Sequence, residues 1–108
     1  HLRHQRAAEL LVSDLRRASL AARSLGRETE ISLSPQGYAI ETLEIERVWP
    51  RDVTVRWRVR QTGYWQTATR LALPARTVES PDVEVEIIRG ADRIAVRIDP
   101  VTGRVHAG

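Results

Sequence analysis

The chain of 108 residues contains no cysteine, so neither a disulfide framework nor a thiolate metal site is open to it, and cysteine usage says nothing of its compartment. Lysine, phenylalanine and methionine are absent too. All seventeen basic residues are arginines, a bias we assign to genome composition and not to mechanism. No apolar run is long enough for a transmembrane helix, and no signal peptide or low-complexity tract occurs. The six glycines stand singly, which excludes a phosphate-cradling loop. Histidine is scarce: His1 and His4 stand three apart, close enough on a helix to share a metal. No carboxylate is near them in sequence, however, and they read as solvated terminal side chains. Asp92 and Asp99 are too few for a calcium cage, and Pro100-Val101 interrupts the run. Ser13, Ser19 and Ser24 have no histidine placed beside them as a base. These absences together predict a protein that is not an enzyme and takes neither metal nor cofactor.

What is present falls into two textures within a length that suits one domain, enough to bury roughly 60–70% of the unfolded surface. From residue 1 to 26 the pattern is helical. Ala8, Leu11, Leu15, Ala18, Ala22 and Leu25 recur at alternating spacings of three and four, which places them on one stripe. The stripe Leu11, Leu15, Ala18, Ala22 and Leu25 is expected to lie on a sheet, the alanines allowing close approach. Gly26 supplies the left-handed residue that closes a helix, and Arg23 and Arg27 meet its negative dipole end. The other end has no capping residue and no proline, so the helix reads as cut and an upstream segment is expected to continue it.

Residues 27–108 read as an antiparallel β head. Thr29–Ser34 alternates, Ser34-Pro35-Gln36-Gly37 turns the chain, and Tyr38 and Ile40 begin a return strand. Val53, Val55, Trp57 and Val59 alternate with Thr54, Arg56, Arg58 and Arg60, a strand with a basic outer face. Val83, Val85 and Ile87 lead through Arg89-Gly90-Ala91-Asp92 into Ile94, Val96 and Ile98, a second hairpin. Asp99-Pro100-Val101-Thr102-Gly103 turns into a short last strand, Arg104-Val105-His106. Between Gln61 and Ser80 no period holds, and a loop with one short strand is expected. The fold class is α+β: one long amphipathic helix on antiparallel sheets, a single domain.

The helix Ala8-Glu9-Leu10-Leu11-Val12-Ser13-Asp14-Leu15-Arg16-Arg17-Ala18-Ser19-Leu20-Ala21-Ala22-Arg23-Ser24-Leu25-Gly26-Arg27, followed at once by a strand, resembles that of the GspH/FimT minor pseudopilins. The closing segment Ile94-Ala95-Val96-Arg97-Ile98-Asp99-Pro100-Val101-Thr102-Gly103-Arg104-Val105 is similar to the family's last strands and turn. The likeness covers both ends of the chain and not the stretch from about Leu43 to Ser80. It implies a pilin-like fold, with an apolar helical segment of about twenty residues anchored in the bacterial inner membrane and the head in the periplasm. The implied function is that of a minor pseudopilin of the type II secretion system, a structural component at or near the pseudopilus tip that supports export of folded exoproteins. Its implied partners are other minor and major pseudopilins and, further, the secreted substrate.

The alternative within the same family is a FimT-like minor pilin of type IV pili that binds DNA for uptake. The net charge of +3, a pI near 10.5 and the row Arg56, Arg58 and Arg60 agree with phosphate binding. Glu84 and Glu86 on another strand are expected to neutralise that row by cross-strand pairing. The family's DNA-binding tail has the form Gly-Arg-x-Arg, whereas this chain reads Gly103-Arg104-Val105-His106, which lacks the second arginine and puts secretion ahead of DNA uptake. Arg104 remains the tail's candidate. For protein partners the candidates are Tyr64 and Trp65, aromatic residues in the irregular middle.

Overall fold

A computed structural model describes residues 3–60, 63–67, 69–76 and 80–108. Its only α-helix among them, α1 (Arg3–Leu25), is 23 residues long, and none of its windows is long and apolar enough to cross a membrane. Gly26 takes φ +68°, and the Arg27 N–H donates to the Ala22 carbonyl at 3.1 Å. That is a Schellman closure, the ending expected of a glycine just past the helical run.

Eight strands follow among the described residues: β1 (Thr29–Leu33), β2 (Gly37–Ile40), β3 (Ile45–Val48), β4 (Thr54–Val59), β5 (Thr69–Leu73), β6 (Val83–Arg89), β7 (Asp92–Ile98) and β8 (Val105–Ala107). They form two antiparallel sheets in the orders β3-β2-β1-β5 and β4-β6-β7-β8. Both hairpins read from the sequence are present. In the first, Ser34 accepts from the Gln36 and Gly37 amides through Oγ, while its own N–H bonds the Gly37 carbonyl at 2.9 Å. Asp99 organises the last turn similarly, its Oδ1 accepting from the Val101 N–H at 2.8 Å and from Thr102, and Gly103 closes it at φ +72°. The short strand of the irregular middle is β5, which pairs with β1 through Ile31 opposite Leu71. The sequence reading did not separate β3 as a strand of its own. A short 3-10 turn, Glu41–Leu43, and Glu44 in the left-handed region lead into it.

Alternation decides each strand's inner face. Thr29, Ile31 and Leu33 of β1, Val55 and Trp57 of β4, and Val83, Val85 and Ile87 of β6 are buried. All of these but Thr29 join Leu11, Leu15 and Ala18 of the helix in one continuous apolar core fed by both sheets. The helix packs against β1 and β5 of one sheet and β6, β7 and β8 of the other, so it is the element that holds the two together. Leu11, Leu15, Ala18 and Ala22 lie on this face as expected. Leu25 does not: it is 51% exposed. It is the last helical residue, and the closure at Gly26 carries the chain off the sheets before a further turn can bring it inward. His4 also departs from expectation, since it is buried on the inner face instead of solvated. His1 lies outside the described residues.

Candidate functional site

The outer face of the β4-β6-β7-β8 sheet carries the basic row singled out in the sequence. Pairing sets Arg56 opposite Glu86, Arg58 opposite Glu84, and Arg97 opposite Glu84 from the other side. Three ion pairs follow this register, Arg56 to Glu86 at 2.6 Å, Arg58 to Glu84 at 2.8 Å and Arg97 to Glu84 at 2.7 Å, and Arg93, opposite Ile88, reaches Glu86 diagonally at 3.3 Å. Glu84 is only 5% exposed although it sits on the outer face, because arginines from both neighbouring strands close over it. Burial opposes its ionisation, but the hydrogen bonds from Arg97 and Arg58 outweigh burial and hold the carboxyl below its ordinary range. Arg56 and Arg58 are therefore paired across the outer face of the sheet, the cross-strand neutralisation expected from Glu84 and Glu86. Arg60 lies beyond the end of β4, in a turn whose N–H bonds the Asp82 carbonyl.

Tyr64 and Trp65 are parted by the same layer. Gln66 exchanges both backbone hydrogen bonds with Trp57, at 2.8 and 2.9 Å, which pins this stretch along the edge of β4. The Trp65 ring is thereby laid over the guanidinium groups of Arg56 and Arg58, 4.1 and 4.4 Å from its centroid. Half-buried, Trp65 is a lid on the charge layer and not a free loop side chain. Tyr64, by contrast, is 75% exposed.

A polar cluster that the sequence reading missed joins helix and sheet on the other side. Asp14 is 1% exposed; it accepts from the Tyr38 hydroxyl at 2.6 Å and from Arg47 Nε at 3.0 Å. Burial first, and then the bond to Asp14, raises the Tyr38 phenol far above its ordinary range, so it stays a donor at any physiological pH. Tyr38 also packs against Trp49 with the two rings tilted by 45°, and the Trp49 Nε1 donates to the Ser34 carbonyl at 3.1 Å. The signal was present: Ala7, Leu11, Asp14 and Ala18 run at spacings of four, three and four, so a carboxylate stands inside the buried stripe.

Arg16 ties the helix to the other sheet, its Nη2 and Nε donating to the Val105 carbonyl at 2.8 and 3.2 Å. Beside that bond a groove of about 790 Å³ opens between the second half of α1 and the last turn, and Arg16, Arg23, Arg104 and His106 line it with Asp99. Arg104 is exposed there. The tail residue chosen from sequence thus has basic neighbours supplied by the helix, and these could receive an anion. No protein family, curated protein or solved structure matches the chain.

Proposed function

We propose that the chain is the head of a minor pseudopilin of the type II secretion system, placed at or near the tip of a periplasmic pseudopilus and acting by contact with other minor and major pseudopilins. The observation that carries the reading is the architecture: a single amphipathic helix laid across two antiparallel sheets, with the closing strand-turn-strand segment fastened back to the helix by Arg16. A helix so fastened makes a rigid unit that transmits force from a membrane-anchored bundle to the head. The reading assigns the head no reaction of its own. It expects the gene to encode an apolar helical segment and a prepilin cleavage site ahead of this chain. Deleting the gene should stop release of exoproteins to the medium, a plasmid copy should restore it, and Tyr64→Ala should lower it while the head stays folded. Normal secretion after deletion overturns the proposal.

The groove of Arg16, Arg23, Arg104 and His106 favours a second reading, a FimT-like pilin head that binds DNA. Under the secretion reading, affinity for duplex DNA at physiological salt is no tighter than ordinary non-specific binding, on the order of 10⁻⁴–10⁻⁶ M. A mobility-shift titration giving submicromolar affinity that Arg104→Ala abolishes would put DNA uptake first.

A further inference from the structure

A groove of about 520 Å³ runs between the first half of α1 and β3, bordered by Tyr38, Arg47 and Trp49 of the cluster around Asp14. Leu10, Trp49 and Pro50 give it apolar walls, and Leu10 is 41% exposed although it lies beside the helix's buried stripe. β3 ends its sheet, so no described strand lies beyond it. Tyr38 stands opposite Arg47, and Trp49 donates its N–H to the Gln36 carbonyl at 2.8 Å. By the alternation of antiparallel pairing, Arg47 and Trp49 turn their backbone groups toward β2, whereas Glu46 and Val48 turn theirs outward. An open edge beside an apolar groove is the arrangement that accepts an added strand.

The charge of the rim says what kind of strand fits. Arg3, Arg6 and Arg47 line the groove against one acid, Glu9. Arg47 is held by Asp14, and Arg3 reaches Asp52 at 3.7 Å, while Arg6 has no ion-pair partner among the described residues. We propose that β3 and this groove bind an extended segment of a partner protein, apolar at its centre with an acidic residue beside it, which adds to the sheet as a fifth strand. Its backbone pairs with Glu46 and Val48, its apolar side chain lies against Leu10, Trp49 and Pro50, and its carboxylate meets Arg6.

The proposal stands apart from the secretion reading, because its test uses the purified chain alone. A phage-displayed random-peptide library is panned on the immobilised protein, and the enriched peptides are synthesised and titrated by fluorescence anisotropy. Enriched sequences should combine aliphatic residues with Asp or Glu. Arg6→Glu, Leu10→Asp and Val48→Pro should each weaken them about tenfold or more. Val48→Pro deletes an outward N–H and leaves the bonds to β2 in place, as edge positions permit. All three positions are exposed. Circular dichroism checks that each variant is folded, and if Val48→Pro is not, the other two decide. No enrichment, enrichment of basic sequences, or binding indifferent to the folded variants would overturn the proposal. So would sedimentation showing that the chain pairs with a second copy through this edge.

Discussion

At the scale of single residues, two leucines of the helix stripe make opposite predictions. Leu15 is 1% exposed in the middle of the core shared by both sheets, so Leu15→Ala should cost about 2–5 kcal/mol, the range for large-to-small core substitutions. Leu25 has the same chemistry and stands on the same periodic series, yet Leu25→Ala should change stability by no more than about 0.5 kcal/mol because solvent already reaches it. Denaturant midpoints of the two variants check the pair. Equal losses would mean that the helix packs to its last residue. Asp14 illustrates the reverse error. Its polarity marks it for the surface, but Tyr38 and Arg47 satisfy the carboxylate well enough for burial.

At the scale of elements, β3 depends on a glycine and the outer face of β6 on ion pairs. A Cβ built on Gly37 would stand 1.8 Å from the Arg47 carbonyl oxygen, so here the residue is required by close approach of two backbones. Gly37→Ala should push β3 away from β2, lower stability by about 1–3 kcal/mol and speed amide exchange at Arg47. Unchanged exchange there would show that the strands are more loosely joined. In the other sheet, Glu84 has its folded pKa held below the ordinary 4.5. Its stabilising contribution is therefore complete above that value and disappears as the pH falls through the folded pKa. Stability should decline on acidification below about pH 5, and Glu84→Gln should flatten part of that slope. An unaltered slope, measured by urea titration at several pH values, would remove Glu84 from the acid response.

For the whole molecule, the helix is the bond between two sheets whose described strands are not hydrogen-bonded to each other. Its inner face belongs to one core with both, Asp14 fastens it to Tyr38 and Arg47 in one sheet, and Arg16 fastens it to β8 in the other. Neither sheet can keep its inner face covered once the helix leaves. Unfolding should therefore be a single cooperative transition. Tryptophan fluorescence, reporting Trp49 in one half and Trp57 and Trp65 in the other, should change at the same urea concentration as far-UV circular dichroism. Separate transitions would mean that one sheet survives without the helix.

The pattern of the chain by itself determined the helix and its closure at Gly26, both hairpins, the final turn and the α+β class. Each rests on local signals: a period of 3.6 or 2, a turn residue at a set place, or a side chain bonding its own backbone nearby. It also carried the ion-pair layer in outline, since two acidic positions and a row of arginines on alternating strands call for pairing whichever strands turn out to be neighbours. Only the tertiary structure decided that β5 joins β1, that β3 is a separate edge strand, and that Trp65 covers Arg56 and Arg58. These pairings join residues far apart in sequence, and nothing local encodes which strand finds which. Which charges stand together was decided at the same level. Arg56 and Arg58 meet Glu86 and Glu84 through strand register, whereas Arg104 gains basic neighbours from a helix more than seventy residues upstream.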